Sequence, residues 1–259
     1  VNTTHTELNR SILSSNFIFV ADFHTFDHCL KNLIRILKLL VLKNKKVVLA
    51  LEMISSRDFL LLDSFLKGHL TELEFLESIN LGNSWKFPWT HYRSIYEFVK
   101  QHPQIEIIGV NTSGTLNKRD TFCAEILANK WMEETDKTFV VLYGEYHLAA
   151  NKIPQKLNDY LDSGVKITTI HQNLDAPYWK LLKKNKTLTQ QMVIKYNSQE
   201  FCLLTSPPWM KYESMCYWYE NLYDDPDFDL HQFIIENGLK ILSTNTIDNF
   251  ELLYKQLMH

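Results

Sequence analysis

Acids and imidazoles stand at the ends of three apolar runs in this sequence. Phe17-Ile18-Phe19-Val20-Ala21 leads into Asp22 and His24, Val47-Val48-Leu49-Ala50-Leu51 into Glu52, and Phe139-Val140-Val141-Leu142-Tyr143 into Gly144, Glu145 and His147. Carboxylates buried there without a partner would be costly, so each needs a cation or an imidazole beside it. Asp22, His24, Glu52 and His147 together form a candidate set for a divalent metal such as Zn, with imidazole also suited to Fe, Cu or Ni. A metal with an open position would acidify a bound water. Without metal the same groups make an acid–base pair, with Glu52, Glu145 and His147 as candidate catalytic residues. The residue types leave both chemistries open. Asp27 and His28 read more simply, as the cap and first face of a helix.

A second concentration is aromatic. Trp85, Phe87, Trp89, Tyr92 and Tyr96 fall within twelve residues. Such a cluster serves as core or interface. Alternatively it walls a flat ligand such as a porphyrin, with Trp89 against the ring and Tyr92, Tyr96 or His91 reaching iron. Trp209, Tyr212, Tyr217, Trp218 and Tyr219 suggest a further aromatic helix, for packing or a dimer surface.

The elements that must hold these residues follow from period. Asn16–Ala21 reads as a buried strand, because β-branched and aromatic residues run on without polar alternation. From Asp27 the spacing changes to helical, with Leu30, Leu33, Ile34, Leu37 and Leu40 on one face and Lys31, Arg35 and Lys38 opposite. Val47–Leu51 is the next strand, giving a βαβ unit with a parallel crossover. Residues 56–102 read as an inserted helical layer, with helices over about 57–67, 71–79 and 91–101; Thr71-Glu72-Leu73-Glu74 has the form of a capping box. Strands follow at Ile105–Val110, Phe139–Tyr143 and Val165–Ile170, with helices over 119–131 and 152–162. Asn197-Ser198-Gln199-Glu200 links two short strands as a hairpin. Helices are expected near 208–221, 227–237 and 247–257. The fold class is α/β: an open, mostly parallel sheet flanked by helices, carrying a helical insert and a C-terminal hairpin plus helices. One domain over residues 1–259 is the expected organisation.

Composition narrows the function. The chain has 259 residues, 45% apolar and 22% charged, which suffices for a large core. A net charge of −3 supplies no basic field for nucleic acid. The seven glycines form neither a dinucleotide-binding nor a P-loop pattern. No apolar run reaches the roughly 18 residues of a membrane span, and the start at Val1 leaves room for a processed leader or lipid anchor upstream. Of the four cysteines, only Cys202 and Cys216 suggest a disulfide.

Taken in order, Val20-Ala21-Asp22-Phe23-His24, Leu49-Ala50-Leu51-Glu52-Met53, Leu62–Gly68, Trp89-Thr90-His91-Tyr92, Gly109-Val110-Asn111, Arg119-Asp120 and Gly144-Glu145-Tyr146-His147-Leu148 resemble the ChaN-like family. These are haem-binding, iron-regulated proteins of the Tiki/erythromycin-esterase superfamily. The family's Gly-Glu-x-His is replaced by Ala21-Asp22-Phe23-His24, which keeps the carboxylate but shortens it by one methylene. The resemblance implies an acid/histidine site at Asp22, His24, Glu52 and His147, with Tyr92 at the tyrosine of a Trp-x-x-Tyr motif. It also implies haem held near the insert in a homodimer, in a periplasmic or membrane-anchored protein of iron acquisition or storage without enzymatic activity. A metal-dependent hydrolase is the alternative, since related branches include proteases and esterases. A third is an interaction module that keeps the fold without the chemistry.

Overall fold

The computed structural model describes residues 2–149, 151–184 and 191–221. The chain divides into two compact units, Val1–Pro208 and Trp209–His259. The first holds an eight-stranded sheet: β1 (Asn2–Thr3), β2 (Phe17–Asp22), β3 (Val47–Ser55), β4 (Ile105–Asn111), β5 (Thr138–Gly144), β6 (Ile167–Gln172), β7 (Met192–Lys195) and β8 (Glu200–Leu204). Their order across the sheet is β1-β7-β8-β6-β2-β5-β3-β4, and β7 alone runs against the others, antiparallel to both β1 and β8. The expected open, mostly parallel α/β sheet with its hairpin is what forms.

The continuous apolar runs are explained by burial on both faces. Ile18 and Val20 of β2, with Val47, Leu49 and Leu51 of β3, pack on one side. There they meet helices α1 (His5–Ser14) and α2 (His28–Leu42) and the insert. Phe17, Phe19 and Ala21 of β2, with Val48 and Ala50 of β3, pack on the other side. They meet helices α7 (Leu116–Glu133) and α8 (Ile153–Tyr160). The insert comprises a 3₁₀ turn at Ser56–Asp58 and helices α3 (Phe59–Leu66), α4 (Glu72–Ser78), α5 (Leu81–Ser84) and α6 (Trp89–Lys100). Thr71 and Glu74 close the anticipated capping box at the start of α4.

The decisive feature of topology is β5. It follows β2, β3 and β4 in the chain yet lies between β2 and β3, paired in parallel with both. Asp22 is registered against Gly144, and Leu51 against Leu142, so the ends of the three apolar runs lie side by side.

Several expectations are corrected. Asp27 occupies the N-cap position of α2 with helical backbone and no side-chain cap bond; its carboxylate instead meets Lys31 one turn on, at 2.7 Å. Helix α9 (Asp175–Leu182) was not foreseen, because Pro177 stands inside it; proline is tolerated there within the first turn. All four cysteines are free thiols, so the Cys202–Cys216 pair does not form. In the second unit α10 (Trp209–Asn221) matches the helix expected near 208–221. The helices expected near 227–237 and 247–257 lie outside the described residues.

The β3–β4 register shifts between Leu51 and Ser55, and Gly109 makes room for that bulge. A Cβ at residue 109 would lie 2.5 Å from the Ser55 carbonyl oxygen and 2.7 Å from both the Ile54 oxygen and Cγ2. Backbone atoms cannot yield as a side chain would. Gly109→Ala is therefore expected to destabilise the chain by about 3 kcal/mol, the upper end for overpacking, read as a lower urea midpoint.

Candidate functional site

Strand alternation assigns each acid its helical layer. Even-numbered residues of β2 face α2 and the insert, which carries Asp22 toward α6; Glu52 follows Leu51 and turns the opposite way, toward α7. On the first side, Tyr92 of α6 donates its hydroxyl to Asp22 Oδ2 at 2.6 Å, and His24 Nδ1 lies 2.9 Å from the same oxygen. On the second, Arg119 near the start of α7 donates to Glu52 Oε1 at 2.5 Å and through Nε to Asn111 at 3.2 Å. The other Glu52 oxygen accepts the Gly144 backbone N–H at 2.7 Å.

Gly144 is where the two halves touch. His24 Nε2 lies 3.6 Å from Glu52 Oε2. A Cβ on Gly144 would fall 3.2 Å from His24 Nε2 and 3.3 Å from Glu52 Oε2, in tight contact with both. Glycine here keeps the imidazole and carboxylate adjacent above the end of β5.

A second dyad follows in the 3₁₀ turn Glu145–Leu148. His147 Nδ1 makes a short hydrogen bond with Asp120 of α7, which is wholly buried. The Cys123 thiol is pushed well up, by burial first and then by Glu52 and Asp120, so both acids stand close to it. Buried and held protonated, Cys123 is no nucleophile. Oδ1 of Asp22, Oδ2 of Asp120 and the Tyr143 hydroxyl are buried without a hydrogen-bond partner.

The electrostatics favour a charged imidazole at His24. Burial opposes that charge, but Asp22 in direct contact and then Glu52 outweigh it, against an opposing contribution from Arg119, and the imidazole is held above its ordinary range. Burial, followed by Asp22, lifts the Tyr92 hydroxyl well above its usual range, so it stays a proton donor. Trp85 and Phe87, in the loop before α6, cover the imidazole with ring centroids at 4.5 and 4.6 Å. His24 retains 18% side-chain exposure, and Arg119 21%. The site is thus a polar centre beneath an aromatic cover.

The anticipated residues separate into groups. Asp22, His24 and Glu52 come together, and His147 joins through Asp120 and the turn after Gly144. Glu145 is half-buried at the first position of that turn. The anticipated divalent-metal set does not assemble: among the described residues no three His, Cys, Asp or Glu side chains are placed to hold an ion. The reason is local. Each acid is already committed, Asp22 to Tyr92 and His24, Glu52 to Arg119 and Gly144.

The insert's candidate haem ligands are placed differently from a porphyrin wall. Tyr92 is 1% exposed with its hydroxyl engaged, and Tyr96 is buried against Phe65, Phe75 and Trp89. His91 is half-buried at the start of α6. Tyr92 and Tyr96 therefore turn inward and most of the cluster is core, while His91 keeps some exposure. Sequence reading missed Arg119 and Asp120 as site residues. The available signal was Asp120 on the apolar face of α7, in register with Cys123, Ala124 and Leu127.

Comparison with known proteins bears on the same residues. Residues 8–119 match the haem-binding uptake family ChaN of the Tiki superfamily. That span takes in Asp22, His24, Glu52, Tyr92 and Arg119. A solved structure with this fold is described as cofacial heme binding to ChaN of Campylobacter jejuni; it is 15% identical, TM-score 0.52, over 79% of this chain and 92% of that one. The type III effector HopBA1 aligns at 11% identity and TM-score 0.48, over 77% of this chain and 92% of that one. A MARTX toxin effector domain from Vibrio vulnificus aligns at 15% and 0.45, over 65% of this chain and 36% of that one. No curated protein matches. The ChaN-like resemblance and its α/β fold therefore hold.

The His24–Asp22 pair predicts a pH-dependent stability. A group whose folded pKa exceeds its ordinary value of 6.5 stabilises fully below that value and loses the contribution as pH rises through the folded pKa. The natural chain should exceed His24→Gln in stability most below pH 6.5, with the gap closing on the alkaline side. Urea unfolding of both proteins across that range checks it; a gap that widens with pH contradicts the assignment.

Proposed function

We propose that the strand-end site carries out metal-free acid–base catalysis of a hydrolysis, with an ester or amide carbonyl as the substrate class. The observation behind this reading is that two imidazole–carboxylate dyads, Asp22–His24 and Asp120–His147, flank the Arg119–Glu52 pair at the ends of β2, β5 and β3. In this reading His24, held as imidazolium by Asp22, is the acid that protonates the leaving group. His147, with Nδ1–H directed at Asp120, presents Nε2 as the base that takes a proton from water. Arg119 offsets negative charge developing on the carbonyl oxygen, and Glu52 orients Arg119. Trp85 and Phe87 exclude water from His24.

A panel of chromogenic esters and peptides, assayed with chelator present, tests the proposal. His24→Ala and His147→Ala should each lower kcat by roughly 10²–10⁴-fold, the usual scale for general acid–base catalysis. Turnover that survives both substitutions would sink it.

Haem carriage is the second reading, favoured by the family match over residues 8–119. It would serve iron acquisition or storage, with haem as a flat ligand between two copies of the chain. A bound haem supplies iron that one protein side chain ligates. His91 is the candidate with access, because Tyr92 is committed to Asp22. Hemin titration should then give a saturable Soret shift that Tyr92→Phe leaves in place and His91→Ala reduces. A shift abolished by Tyr92→Phe alone would refute this ligand choice.

A further inference from the structure

We infer that Gln172 is a positioning residue for His24, acting through the turn that carries it. This rests on the acid–base reading of the site but is argued from different contacts. Gln172 is the last residue of β6 and is 1% exposed. The β2–β6 ladder ends at the Val20–Ile170 pair, yet β2 continues to Asp22. Beyond the ladder, the Gln172 side chain replaces it. Its Nε2 donates to the Ala21 carbonyl at 2.6 Å and to the Cys29 carbonyl at 3.2 Å.

Those two carbonyls bracket the connection from β2 to α2. Ala21 immediately precedes Asp22, and Cys29 lies in the first turn of α2. One amide group therefore clamps both ends of the seven residues between them, which include Asp22 and His24. The amide is itself oriented: Asn32 Nδ2 donates to Gln172 Oε1 at 2.7 Å, and Arg35 donates to Asn32 Oδ1 at 2.7 Å. Asn32 is buried and Arg35 exposed, so the chain of bonds runs from the surface of α2 to the backbone beside Asp22. A glutamine with both amide atoms committed cannot flip without losing bonds on both sides. Removing its donors would take away both of these bonds and free the turn that aims His24 at Glu52.

The test uses the full chain and Gln172→Met, which keeps the length of the side chain and removes its donors. The His24 Nδ1 proton, bonded to Asp22, gives a downfield NMR resonance that is assigned by its loss in His24→Gln. That resonance should broaden or vanish in folded Gln172→Met without substrate. With substrate, kcat should fall about tenfold and KM stay near its natural value, as misplacement of a catalytic group requires. Asn32→Leu, which leaves the donors but not their orientation, should weaken the resonance less. An unchanged resonance in folded Gln172→Met overturns the inference; should that variant not fold, an unchanged resonance in Asn32→Leu does so. Because the resonance is read without substrate, its outcome is separate from that of the hydrolase reading.

Discussion

A carboxylate buried at the end of a strand must be met by a cation or a proton donor, and the strand-end site of this protein is built on that requirement. Glu52 is met by Arg119 and the Gly144 amide, Asp22 by Tyr92 and His24, and Asp120 by His147. Removing one partner of such a buried pair generally costs about 3–5 kcal/mol, because the other charge is left unpaired. The partners come from both helical layers, α6 on one face of the sheet and α7 on the other. The acids therefore bind the two layers together at the strand ends, where open parallel sheets place their ligands.

That arrangement explains why the insert matters. Its aromatic residues divide into two duties. Phe65, Phe75, Trp89 and Tyr96 stack into a core that holds α3, α4 and α6 together. Trp85, Phe87 and Tyr92 reach past that core to the site, two as cover over His24 and one as donor to Asp22. Asp22 makes both contacts through one oxygen and leaves the other without a partner. A chain whose residues 8–119 match a haem-binding uptake family thus presents a polar centre whose tyrosine is turned inward.

The same constraint separates what could be read early from what could not. Asp22, His24, Glu52 and His147 were legible because an acid or imidazole closing an apolar run violates ordinary burial. Arg119 and Asp120 stood out only as a resembling pair and by the place of Asp120 on the apolar face of α7, because a charged pair near a helix start does not name its partners. Gln172 gave no signal at all: its role depends on two carbonyls more than 140 residues away in the chain. The aromatic knot was ambiguous for a similar reason, since composition does not say which rings face a core.

By itself, then, the sequence determined the strands other than β1, the two-faced burial of the central ones, the helical insert and its capping box, and the presence of acids at the strand ends. Those are consequences of local period and short-range hydrogen bonding, which a chain carries in its neighbours. Only tertiary structure decided that β5 lies between β2 and β3, that Asp22 faces α6 while Glu52 faces α7, and that the acids are committed to protein partners rather than gathered around an ion. Strand order is a long-range choice, and the partner of a buried charge is whichever side chain that order brings within reach.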